Sequence, residues 1–338
     1  MKKKERYNSL NGLRAISCIG ILIMHVLANG TYNLAPAVKT IIDSLTQLVF
    51  LFMIISSFSM CCGYYEKIKD NKITLEEYYT KRIKKIMPFF IFLVLIDILY
   101  NHNLSSLIEG FANTTMMFGF LPKELSVIGV GWFLGLIFIF YMIFPFFVYL
   151  FSNKKRAWLT TIIAFAMNLA AVGYFEIGRT NMFYSFIYFC VGGLIYLYKD
   201  QIIQFIKNKR IISLLSIIVL LIMFYIIPIN KYFINSAFIL IFSLITCYAI
   251  AVDSKILDNK ITSYISDISL EIYLSHMLIF RLIEKIKLTN IFNNDYISYI
   301  ITCCICLIGT IVLAKLYHYG KEKIEIFFSK YKKSGELK

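Results

Sequence analysis

A chain of 338 residues that is 59% hydrophobic and only 16% charged cannot hide its apolar side chains in one water-soluble core. With a mean hydropathy of +0.71, much of its surface must have lipid as solvent. A net charge of +15 would suggest nucleic acid for a soluble protein, but here the basic residues cluster between apolar runs, as membrane topology demands. No nucleic-acid partner is therefore expected.

A bilayer-spanning helix needs about 20 apolar residues. On that measure the sequence predicts an all-α, polytopic membrane bundle of about ten transmembrane helices, at 10–29, 38–63, 86–100, 129–151, 157–175, 181–198, 211–227, 233–252, 263–283 and 295–318. The third is short, and residues 101–128 are semi-polar, with room for an interfacial helix. The basic N-terminus followed by an apolar run also has the outline of a signal peptide. Arg14 and His25 interrupt that run and the small-residue site at Ala28 and Gly30 is poor, so the run is read as a retained first span. No loop approaches domain size and no internal repeat is evident, so residues 1–338 read as one transmembrane domain with a basic tail from 319 to 338.

Charge sets the orientation. With the N-terminus inside, the cytoplasmic segments 1–9, 64–85, 152–156, 199–210, 253–262 and the tail, counting Lys315 with it, hold 27 Lys and Arg. The outer segments hold seven, namely Lys39, Lys123, Arg179, Lys231, Arg281, Lys285 and Lys287. The positive-inside rule then puts both termini in the cytoplasm. The eight cysteines all lie in apolar runs and read as small hydrophobes. Even the group Cys303, Cys304 and Cys306 lacks histidine company, so no metal is expected.

Ionisable residues inside spans are costly and mark functional sites. Arg14 and His25 lie eleven residues apart in the first span, which is about three helical turns, so they share a face about 16 Å apart. Singly, Arg14 would read as a snorkelling anchor and His25 as an interhelical hydrogen bonder; a shared face favours a common ligand path. Ser269, Tyr273 and His276 likewise share one face of the ninth span, as a pocket wall or as structural glue. His102 and His318 sit at span ends and are expected to meet water or headgroups. The run Lys81-Arg82-Ile83-Lys84-Lys85 before Pro88 is either a topology anchor or a phosphate clamp.

Leu10-Asn11-Gly12-Leu13-Arg14 followed by His25 resembles the opening signature of the acyltransferase 3 family of membrane proteins. Phe52–Phe58 resembles the aromatic Ser-Gly-Phe end of that family's second helix, and Arg82 to Pro88 its Arg-x-x-Arg element before a proline. Gly131-Trp132-Phe133-Leu134 resembles its Trp-Phe-Leu helix, and Ser269 to His276 its late Ser-x-x-x-Tyr-x-x-His helix. The order matches along nearly the whole chain. Asn11 stands where the family has an acid, Ser57 where it has glycine and Lys85 where it has a second arginine. The resemblance is to the stand-alone form, without a fused extracytoplasmic hydrolase-like domain.

What the resemblance implies is a multi-pass enzyme of the bacterial cytoplasmic membrane, moving an acetyl or other acyl group from acyl-coenzyme A to a carbohydrate hydroxyl. The acceptor would belong to a capsule, O-antigen, exopolysaccharide or peptidoglycan. Arg14 and His25 would be essential, and Arg82, Lys85 and Arg14 would meet the donor, with Trp132, Ser269, Tyr273 and His276 lining the pocket. His25 could act as general base or form an acyl-histidine. The competing readings are a transporter or flippase of lipid-linked glycan, which calls for broken or repeated helices, and a scaffold indifferent to Arg14 and His25.

The charge map is testable at its C-terminal end. A Lys333→Cys variant in intact cells is expected to stay unlabelled by a membrane-impermeant thiol reagent. Labelling from outside would overturn the orientation.

Overall fold

The computed structural model describes residues 7–101, 103–120, 128–230 and 232–335. His102, Lys123, Lys231, Lys338 and the basic residues before Tyr7, all weighed above, lie outside the described residues. Among the described residues the regular structure is entirely helical. The helices are α1 (Ser9–Asn29), α2 (Pro36–Ser44), α3 (Leu48–Met60), α4 (Glu66–Lys69), α5 (Leu75–Asn101), α6 (Leu104–Thr114), α7 (Trp132–Leu150), α8 (Lys154–Gly173), α9 (Met182–Leu197), α10 (Lys199–Asn208), α11 (Arg210–Ile226), α12 (Ile234–Ala251), α13 (Lys260–Asp267), α14 (Ser269–Lys285) and α15 (Asp295–Gly335).

Among the described residues, six helical stretches are long and apolar enough to cross a membrane: Ser9–Asn29, Pro36–Lys69, Gly129–Leu150, Lys154–Gly173, Ile234–Ala251 and Asp295–Phe327. They coincide with six of the ten predicted spans. The other four are short or interrupted. α5 carries Lys84, Lys85 and Asp97 on its apolar stretch. α9 breaks from α10 at a 75° bend, and counting that pair as one span gives seven. α11 has 17 residues. The predicted 263–283 span is divided at Ile268 into α13 and α14. α15 continues helical to Gly335, through most of the expected tail.

The chain divides into two compact units. The first comprises the residues up to Ser17 with Gln47–Ser266, the second Cys18–Thr46 with the residues from Asp267 onward. α1 thus gives its first turns to one unit and its later turns to the other.

In the first unit, α5 corrects the expected loop over 64–85 and the expected helix start near Pro88. The helix begins at Leu75, and Pro88 lies inside it. Thr74 caps it: its Oγ1 accepts the Glu77 N–H at 3.1 Å, the Thr-x-x-Glu pattern that satisfies orphan donors at a helix start. Glu76 and Glu77 in the first turn suit the helix dipole, and Glu77 pairs with Lys81 one turn on. The buried face of α5 runs Tyr78, Ile86, Phe89, Phe90, Leu93 and Asp97. Tyr78 also repairs a defect in its neighbour. Pro145 inside α7 has no N–H to give the Tyr141 carbonyl, and the Tyr78 hydroxyl donates to that carbonyl instead, at 2.8 Å. Tyr79 donates to the next carbonyl, of Met142, at 2.8 Å.

Small residues let α9 approach its neighbours. Ser57 of α3, at the position where the family carries glycine, donates to the Phe189 carbonyl at 2.6 Å. A Cβ on Gly192 would strike the Ile54 carbonyl oxygen and the Ser57 Cβ, and one on Gly193 would meet the Phe147 ring. Around this contact Phe140, Phe144, Phe147 and Phe151 pack on one another and on Phe189, with Phe50 stacked on Tyr188 at 4.3 Å.

In the second unit α14 packs on α15. The chain after α1 is tied to α15 through polar contacts: Tyr32 donates to Thr302 Oγ1 at 2.8 Å, the Asn33 N–H to Asp295 at 3.0 Å and the Ala35 N–H to the Tyr296 hydroxyl at 2.9 Å. Tyr299 reaches α1 itself, donating to the Ile23 carbonyl at 2.9 Å.

Gly192→Ala is expected to lose about 1–3 kcal/mol of stability through overpacking against backbone. Gly63→Ala, where an added Cβ meets open space, serves as control. Thermal unfolding in detergent micelles separates them; equal melting of the two variants would contradict the close α3–α9 contact.

Candidate active site

The opening motif is held in the first unit at its N-terminal end. Ser9 donates to the Val252 carbonyl at 2.8 Å, and Asn8 donates to Asp258 at 3.1 Å. Gly12 lies against the backbone of Leu257, where any side chain would collide. That contact explains the glycine of the motif. Arg14 is half-buried; its Nη1 donates to Asn11 Oδ1 at 3.2 Å and its Nη2 to Ser59 Oγ at 2.5 Å. Asn11 Oδ1 also faces the Ser266 hydroxyl at 3.4 Å. The amide oxygen of Asn11 therefore takes the geometric place of a carboxylate oxygen while contributing no charge.

Arg82 is the inward residue of the basic run, while Lys81, Lys84 and Lys85 are exposed. Its helical phase, four residues after the buried Tyr78 and four before the buried Ile86, accounts for this. Its Nη2 donates to the Tyr64 hydroxyl at 2.6 Å, and the guanidinium lies over the rings of Tyr64 and Tyr141, 4.7 and 5.8 Å from the centroids. Arg82 Nε is buried and has no hydrogen-bond partner among the described residues. Tyr64 belongs to a single π turn, Cys61–Tyr65, inserted between α3 and α4; such turns are rare and concentrate at functional sites. The structure thus sets Arg82 apart from Lys85.

The second unit holds a pair of imidazoles. His25 on α1 and His276 on α14 have ring centroids 5.0 Å apart, with the planes tilted by 41°. His276 is fully buried, and its Nδ1 lies 2.6 Å from the Tyr273 carbonyl. A carbonyl can only accept, so Nδ1 carries the proton and Nε2 of the neutral ring keeps its lone pair. That Nε2 is buried with no hydrogen-bond partner among the described residues. Cys306 covers the His276 carbonyl from α15, Sγ to O 3.3 Å. Ser269, Tyr273 and His276 are all buried along α14. Trp132 stands at the start of α7 in the first unit, with the Arg179 guanidinium over its ring at 5.4 Å.

Three features lay beyond the sequence reading. The His25–His276 pair joins residues 251 positions apart, which spacing alone cannot reveal. His318, set aside as a span-end residue, places Nε2 3.1 Å from Glu271 Oε1 on α14. Lastly, Asn235 accepts hydrogen bonds from Tyr184 and Tyr188 at 2.8 and 3.0 Å, and Asn168 donates to the Tyr184 carbonyl at 2.6 Å. Two asparagines inside apolar spans were the signal for that last set.

Among the described residues every regular element is helical and six stretches are long and apolar enough to cross a membrane, the marks of a multi-pass membrane protein. The chain matches the acyltransferase 3 family, described as an acyltransferase domain, over residues 7–316, and it belongs to that family. No curated protein and no solved structure matches it significantly. Family membership makes the chain a membrane acyltransferase in general terms.

Proposed function

We propose that this protein transfers an acyl group, most simply acetyl, from acyl-coenzyme A to a hydroxyl of a cell-envelope or exported polysaccharide. The reading places it in the bacterial cytoplasmic membrane with both termini inside. It counts about ten spans, with α5, α9, α11 and α14 crossing along with the six stretches named above. The observation that carries it is the His25–His276 pair, two imidazoles 5.0 Å apart in a chain belonging to an acyltransferase family.

In this reaction His25 takes the proton of the acceptor hydroxyl, the oxygen attacks the thioester carbonyl, and the carbon–sulfur bond breaks as the carbon–oxygen bond forms. The thiolate leaves with little acid assistance, since thiols ionise near pH 8.5. His276, its own proton committed to the Tyr273 carbonyl, packs against the His25 ring and fixes its orientation. An acyl-histidine route would use the same residue as nucleophile. The donor phosphates are assigned to Arg82, whose planar fork suits bidentate contact, with Lys85 as an outer contact. Arg14 stands about 16 Å before His25 along the same helix. The 75° bend between α9 and α10 is the feature that favours a transporter. Against that reading, α10 carries Lys199, Asp200, Gln204 and Lys207 and reads as an interfacial helix rather than half of a span.

His25→Ala and His25→Gln are each expected to abolish acylation while the protein still inserts and accumulates. A positioned base is worth about 10²–10⁴ in rate, whereas an interhelical hydrogen bond in a membrane is worth about 0.6 kcal/mol. Acyl content of the surface glycan is measured against membrane protein level. Full acylation with His25→Gln refutes the base assignment; loss of glycan export at unchanged acyl content per repeat favours a flippase.

Arg82→Ala is expected to raise the donor KM far more than it lowers the melting temperature, and Lys85→Arg to leave activity equal or higher. Wild-type donor affinity in purified Arg82→Ala would reduce the basic run to a topology anchor.

A further inference from the structure

The first unit contains a cavity of about 780 Å³ walled by α8, α9, α10, α11 and α12, within the range of sites that bury a ligand. Several of its polar groups are satisfied inside the protein. Thr161, Ser216 and Ser243 hydrogen-bond carbonyls of their own helices, and the Trp158 indole donates to the Tyr198 hydroxyl at 3.0 Å. What faces the cavity is mostly hydrocarbon and ring faces, and an apolar occupant fits it. Along α9 the lining runs from Ile187 to Tyr198, a length of about 16 Å. The Tyr198 end differs from the rest. Lys154 Nζ lies 4.5 Å from the Tyr198 ring centroid, and Lys209 Nζ lies 5.3 Å from that of Phe205; both rings line the cavity. Lys199, Lys207 and Arg210 follow in the same cluster of sequence. An apolar slot with cations at one end complements a ligand with a hydrocarbon tail and an anionic head.

We infer that this cavity is a binding site for an anionic glycerophospholipid, one acyl chain inserted between α8 and α11 and the phosphate held by Lys154 and Lys209. The site is independent of the acyl-transfer chemistry proposed above, because its walls include none of the residues assigned to it. Lysine stems packed on aromatic rings hold the ammonium groups at the mouth without burying them. The bend between α9 and α10 gives this end of the cavity its wall, since α10 contributes Gln201, Ile202, Phe205 and Ile206.

The purified full-length protein is mixed in mild detergent with dioleoyl phosphatidylglycerol or dioleoyl phosphatidylcholine and examined by native mass spectrometry. One phosphatidylglycerol is expected to be retained about tenfold better than phosphatidylcholine, the two lysines contributing most of the difference. The Lys154→Gln, Lys209→Gln double variant should lose that preference. Ser216→Trp and Ser243→Trp, which fill the cavity from two different helices, should each lose retention of both lipids. Circular dichroism establishes that a variant is folded. The double lysine variant decides the matter even where a tryptophan does not fit. Equal retention of both lipids by the unaltered protein, or undiminished retention by a folded tryptophan variant, overturns the site. Displacement of phosphatidylglycerol by an equal concentration of undecaprenyl phosphate overturns the assignment and gives the cavity to an isoprenoid carrier.

Discussion

Within a hydrocarbon medium a polar group finds its partner inside the protein or goes without, and much of this structure follows from that constraint. The helices satisfy their own backbone, and where one fails, another supplies the missing donor. Tyr78 does so for the Tyr141 carbonyl that Pro145 leaves unserved. Ser57 and Gly192 bring α3 and α9 close enough for a side chain on one helix to reach the backbone of the other. Serine and threonine hydroxyls turn back to their own helices, which costs no partner elsewhere and leaves apolar walls. Under the same constraint, the exceptions are informative. His276 Nε2 and Arg82 Nε are two of eight buried side-chain atoms with no hydrogen-bond partner among the described residues, and each such atom calls for an explanation.

The two polar centres differ in character. Arg82 and Arg14 are cations framed by neutral oxygens and aromatic faces, an arrangement suited to anions. The imidazole pair offers lone pairs and protons without a fixed charge, an arrangement suited to proton transfer. α1 links these roles by covalent continuity, since it carries Arg14 in its second turn and His25 in its fifth.

Hydropathy and charge made the fold class and most of the spans legible, because both are summed over many residues and tolerate local error. Elements decided by one or two residues were read less well. The segment 64–85, expected as a cytoplasmic connection, is helical from Leu75 because Thr74 and Glu77 cap it, a signal present in the sequence. The break at Ile268 left no clear mark, whereas the bend after Leu197 falls where the predicted span 181–198 ends. Of the candidate site residues, Arg14 and His25 were singled out by their own spacing. The partner of His25 was not, because it lies on another helix and no periodicity connects the two. Asn11 looked like the loss of an acid; in three dimensions its amide oxygen still meets Arg14.

The π turn at Cys61–Tyr65 gives the second span one residue more than an α-helical path would hold. Deleting a single residue there would restore regular α winding and remove the local widening that sets the Tyr64 hydroxyl against Arg82. In an alignment of relatives, a one-residue gap between Met60 and Glu66 would therefore mark chains that have lost this aromatic support for the arginine or have rebuilt it from another helix.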